Sequence, residues 1–144
     1  MKPTDEPIII KQTFDAPIED VWNAITETER MKQWFFDEIQ AFEPTEGFET
    51  QFDVECDGKH YLHDWRIAEV IPQQRIVYDW SYKGYAGRGL VTWELKATTD
   101  GTMLTLTNTV VEAFPEDDPA FNRESGEAGW KYFINDRLKA YLRS

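Results

Sequence analysis

Cysteine is nearly absent from this chain: Cys56 is the only one in 144 residues. Neither a disulfide framework nor a multi-thiolate zinc site can form within it, and a reducing compartment, the cytoplasm, is the setting this suggests. Histidine is almost as scarce, with His60 and His63 alone. Three apart in a strand, they face opposite sides and cannot share a metal as neighbours, so no metal and no cofactor is expected. Basic residues are also few. Fifteen Lys and Arg against 27 Asp and Glu leave a formal charge of −12, which repels phosphate backbones and anionic membrane surfaces and argues against nucleic-acid binding. No long hydrophobic run is present near the start: MKPTDEPIII holds three consecutive apolar residues, far short of a signal-peptide core or a membrane span.

Motifs for nucleophilic catalysis are missing as well. No GxSxG elbow occurs, and Cys56 has only acidic neighbours, the wrong setting for a thiolate nucleophile. The run from Gly84 to Gly89 has the glycines of a phosphate loop but not its Lys-Ser/Thr, and reads as a hairpin loop.

What the chain has in quantity is aromatic side chains, 15% of residues, within 41% hydrophobic overall. That composition, at this length, suits one folded domain over residues 1–144 with one core. Ile8 to Phe14 is β-branched and apolar and reads as a strand. Pro17 suits the first turn of a helix, and Ile18, Val21, Trp22 and Ile25 follow at helical spacing. Met31, Trp34 and Phe35 suggest a second short helix, and Asp37 to Phe42 the start of another strand.

From Phe48 onward the period is two. Phe48, Thr50, Phe52, Val54 and Cys56 alternate with charged or amide residues, and Asp57-Gly58 is a hairpin signal before a return strand over 59–71. The strands over 75–82, 89–98 and 103–112 repeat the pattern about every ten residues, as in an antiparallel meander. The final stretch, residues 118–144, places Trp130, Phe133, Ile134, Leu138 and Tyr141 on one side of a long helix, with Asp118 as N-cap and Pro119 at the first helical position. The expected fold is α+β: a curved antiparallel sheet of six to seven strands wrapped around a C-terminal helix, with two short helices after the first strand.

Trp34, Phe52, Trp65, Tyr78, Trp80, Trp93, Trp130 and Phe133 all fall where they point between sheet and helix. They either form a solid core or line a cavity for a ligand. Asn108 continues the inward face of Leu104 and Leu106, as an orienting polar group or as a strand end reaching solvent. Gly126 and Gly129 weaken the terminal helix by about 1 kcal/mol each. They allow close approach to the sheet or room for a ligand, or they mark a loose first turn. Arg137 lies within the apolar stripe, either extending along the sheet edge into water or pairing with an anion.

Several runs resemble one family. Ala16-Pro17, Val21-Trp22, Ala24-Ile25-Thr26 and Trp34 look like the N-terminal signature of the domain shared with the activator of the 90-kDa heat-shock chaperone's ATPase. Phe42-Glu43-Pro44 before Gly47, the strand pair Val70-Ile71-Pro72 and Arg75 to Trp80, and Gly129-Trp130 with Leu138 are similar to its later motifs. The resemblance implies the helix-grip fold of the START and birch-pollen-allergen-like (SRPBCC) superfamily, whose members bind apolar small molecules around a hydrophobic cavity. It departs at Thr107-Asn108, where relatives often have threonine then histidine, and at His63-Asp64-Trp65, where many have a small residue. The leading expectation is non-catalytic binding of a small apolar or aromatic molecule by a monomer or homodimer. The alternatives are a polyketide cyclase or dehydratase, using Asp79, Glu94, His63 or Arg137, and a partner of the chaperone.

Overall fold

A computed structural model describes residues 1–143. Six strands form one antiparallel sheet: β1 (Ile8–Phe14), β2 (Glu49–Cys56), β3 (Lys59–Ile71), β4 (Arg75–Lys83), β5 (Arg88–Thr98) and β6 (Gly101–Glu112). Their order is β1-β6-β5-β4-β3-β2, so β2 to β6 run as a meander and β1 returns beside β6. Each alternating run buries one set of side chains, as in β5, where Val91, Trp93 and Leu95 are buried. The Asp57-Gly58 turn takes positive φ at both residues, 52° and 79°, the geometry of a two-residue hairpin. Register shifts that leave Ala68 of β3 and Val111 of β6 without a cross-strand partner bend those strands, as β-bulges do. The sheet curves around the last helix, which is the helix-grip arrangement.

Helices α1 (Ile18–Thr26) and α2 (Thr28–Trp34) follow β1. Pro17 stands just before the first helical residue, and its carbonyl accepts from the Asp20 and Val21 amides. Residues 37–42, expected to begin a strand, form none. The reason is local: Thr28 Oγ1 accepts from the Phe42 amide at 2.9 Å and donates to its carbonyl at 3.1 Å. That side chain takes the backbone groups a neighbouring strand would need, while Ile39 and Phe42 are buried without one.

The terminal segment is not one uniform α-helix. A 3₁₀ turn at Pro119–Phe121 is capped by Asp118, whose carboxylate accepts from the Ala120 amide. Asn122 then caps α3 (Arg123–Lys131) through the Ser125 amide at 2.8 Å. A π-helical stretch, Tyr132–Leu138, leads into α4 (Lys139–Arg143). A four-residue spacing overshoots an α-turn and falls short of the wider π-turn. The alternation keeps Trp130, Ile134 and Leu138 all buried against the sheet. Asn135 donates to Gln12 Oε1 at 2.7 Å and Lys139 to the Thr13 carbonyl at 2.8 Å, tying this segment to β1. Arg137 extends its head to the Gln33 carbonyl and the Tyr132 hydroxyl.

The close pairing of β6 with the end of β1 depends on Gly101, where an added Cβ would overlap the Phe14 carbonyl oxygen. Gly101→Ala is therefore expected to cost about 1–3 kcal/mol or more, read as a lower urea midpoint with an unchanged m-value.

Candidate functional site

The space between α3 and the sheet is only partly filled. A cavity of about 190 Å³ remains there. Apolar cavities of roughly 150 Å³ admit a benzene-sized molecule. The sheet wall comes from His63 on β3, Trp80 and Tyr82 on β4, and Asn108 and Val110 on β6. The helix wall is Ser125, Gly126, Gly129, Trp130 and Phe133, and Phe35 and Phe36 reach in from the end of α2. Phe114 and Phe121, stacked at 5.7 Å, stand at the remaining side with Met1.

Both helix glycines have work to do. A Cβ on Gly126 would lie 3.1 Å from Ile8 Cδ1, so that glycine lets α3 approach β1 closely. A Cβ on Gly129 would meet nothing within 4 Å, because it faces the cavity. On the sheet side, a Cβ on Gly89 would sit 3.2 Å from Asn108 Oδ1. The bare glycine makes room for the Asn108 carboxamide, which has no hydrogen-bond partner among the described residues.

The structure divides the eight expected aromatic residues into two groups. Trp80, Trp130 and Phe133 line the cavity, as does Asn108. Trp34, Phe52, Trp65, Tyr78 and Trp93 are buried in the solid core beside it, with Trp34 Nε1 donating to the Ala24 carbonyl at 2.8 Å. Phe35 separates the groups, packing 5.7 Å from Trp65, 5.8 Å from Trp93 and 6.0 Å from Trp130. Trp65 Nε1, Trp93 Nε1 and the Tyr78 hydroxyl are buried with no partner among the described residues.

The sequence suggests His63 only as a metal ligand or an acid–base group. It is a buried titratable group of the site, 5% exposed. Its signal was present in the sequence, since it lies two residues before Trp65 and shares its face. His60, on the outer face, pairs with Asp53 at 2.6 Å. His63 Nδ1 is 2.9 Å from the Tyr61 carbonyl, and the ring lies stacked on Phe52 at 4.9 Å. Burial lowers its pKa to about 4, only partly offset by that backbone hydrogen bond. Tyr82, in edge contact at 4.7 Å, is pushed up to about 12, also by burial. Asp79 and Glu94 lie outside the cavity and pair with Arg88 and Arg75. No cluster of three or more potential metal ligands occurs among the described residues.

Residues 15–143 match the family model described as activator of Hsp90 ATPase homolog 1-like protein. The chain belongs to this family. No curated protein matches it, but solved structures do. DynU16, from the dynemicin biosynthetic locus, is 28% identical with a TM-score of 0.78, over 97% of this chain and 48% of its own. This chain thus spans about half of that protein. CalU16 from Micromonospora echinospora is 26% identical, TM-score 0.69, over 94% of this chain and 75% of its own. CV1439 from Chromobacterium violaceum shares the fold at 18% identity, TM-score 0.81, over 96% and 98%. Among the described residues, no helix of this family member is long and apolar enough to cross a membrane.

A histidine whose pKa is lowered on folding takes up its proton more readily when unfolded. Stability is then complete above the unfolded value near 6.5 and declines as pH falls towards about 4. His60, raised by its hydrogen bond to Asp53, acts in the opposite sense. The loss from His63 is on the order of 3 kcal/mol. His63→Phe is expected to flatten this part of the dependence, measured by urea unfolding at intervals between pH 4 and 7.

Proposed function

We propose that this protein binds a small apolar or aromatic molecule between its terminal helix and its sheet, without transforming it. The observation that carries this reading is the partly open, aromatic-walled cavity of about 190 Å³, which contains the unpartnered Asn108 carboxamide and the half-satisfied His63 ring. An apolar enclosure with few polar groups is the usual form of a small-molecule site. Each Å² of apolar ligand surface removed from water contributes about 25 cal/mol, so a ring system held between Trp80, Trp130 and Phe133 has its main source of affinity.

Catalysis is the weaker reading for a physical reason. A cyclase or dehydratase needs a group that exchanges protons near its working pH. Asp79 and Glu94 are outside the cavity and Arg137 is engaged at Gln33. His63 lies inside but stays neutral down to about pH 4, which makes it a hydrogen-bonding group and a poor base at neutral pH.

Gly129→Leu tests this directly, because the new side chain enters the cavity from the helix. Wild-type protein is expected to show saturable changes in Trp fluorescence and ligand-bound species in native mass spectrometry with small aromatic molecules. The variant is expected to lose both while keeping its stability or gaining up to about 1 kcal/mol from the removal of a helical glycine. Unchanged binding in a folded Gly129→Leu protein, or no saturable binding by the wild type, overturns the proposal.

A further inference from the structure

The orientation of His63 narrows the chemistry of the ligand, given the binding reading above. A backbone carbonyl can only accept, so the contact of Nδ1 with the Tyr61 oxygen at 2.9 Å puts the proton of the neutral ring on Nδ1. Nε2 is left with a lone pair and no partner among the described residues. The ring cannot easily turn to offer its N–H instead. It is stacked on Phe52 at 4.9 Å and meets Phe36 at 5.0 Å, Tyr82 at 4.7 Å and Trp80 at 5.6 Å. The cavity wall therefore presents a fixed acceptor.

We propose that the cavity selects neutral aromatic molecules of one or two rings carrying a hydroxyl or ring N–H, and that Nε2 of His63 accepts the hydrogen bond from that group. A ligand without a donor covers Nε2 and leaves it dry and unpaired, which is how buried polar groups reject otherwise similar molecules. A carboxylate or phenolate fares worse. It brings negative charge against a lone pair in a cavity that no described Lys or Arg lines, where the Met1 ammonium at the edge is already engaged at the Phe121 carbonyl at 3.2 Å, within a chain of net charge −12. Asn108 does not discriminate in this way, since its carboxamide both donates and accepts. It takes whichever polar group the far end of the ligand offers.

Calorimetric titration at pH 7 with 2-naphthol, 2-methoxynaphthalene and 2-naphthoate separates the outcomes. The expected order is naphthol tighter than its methyl ether by about tenfold, the worth of one buried hydrogen bond, with naphthoate weakest. On ¹⁵N-labelled protein the His63 Nε2 resonance is expected to move with naphthol and not with the ether. His63→Phe, which keeps an aromatic ring in the same cage, should bring naphthol and ether to equal affinity. Equal affinities in the wild type, a gap that survives in His63→Phe, or an unmoved Nε2 resonance would each defeat the proposal while leaving the binding reading standing. Failure of all three compounds to bind removes both. The resonance measurement decides the matter even if His63→Phe does not fold.

Discussion

Everything between helix and sheet is arranged around Phe35. Its ring touches Trp34 at 4.9 Å, Phe36 at 4.6 Å, Trp80 at 6.4 Å and Phe133 at 4.8 Å, besides Trp65, Trp93 and Trp130. One side chain at the end of α2 thus contacts β3, β4, β5 and the terminal helix together. Below it the interior is solid. Above it the curvature of the sheet opens a gap that α3, with glycine at 126 and 129, does not fill. The boundary between core and cavity is a packing boundary, set where this ring comes to rest.

An interior built from Trp, Tyr and Phe differs from an aliphatic one in bringing polar edges inside. Trp34 satisfies its indole N–H at the Ala24 carbonyl, whereas Trp65, Trp93 and Tyr78 bury their polar hydrogens without a partner among the described residues. A buried unpaired donor costs about 1–3 kcal/mol. Aromatic pairs contribute about 0.5–1.5 kcal/mol each beyond the area they bury, and the contacts of Trp65 with Phe52, Tyr78 and Trp80 at 4.8 to 5.0 Å supply several. Rigidity follows from this packing. It is what holds His63 in one orientation, so that a residue easily read as a proton carrier presents a fixed lone pair.

Much of the fold was legible because period-two alternation on a sheet with one buried face leaves little freedom of register. The Asp57-Gly58 turn and the stripe of Trp130, Ile134 and Leu138 are of the same kind, being local patterns with local causes. Residues 37–42 misled for the converse reason. Ile39 and Phe42 are buried, but Thr28, fourteen residues before Phe42, takes the backbone groups a strand would have used. The π-helical stretch was also invisible, since it answers to the sheet it covers. Of the expected site residues, Trp80, Asn108, Trp130 and Phe133 meet at the cavity, while Phe52, Trp65 and Trp93 have the same alternation and lie in the core. Periodicity reports which face a residue is on and not how far along the strand the space stays open.

By itself the sequence determined the acidic surface, the antiparallel meander, the terminal amphipathic helix and the family, because each depends on composition or on spacing within a few residues. Only the tertiary structure decided that the grip is left partly empty, that Phe35 and Phe36 form one wall of the gap, and that His63 turns its free nitrogen from the Tyr61 carbonyl. Those are outcomes of side chains from distant segments competing for the same volume, and no local pattern records which of them gets there.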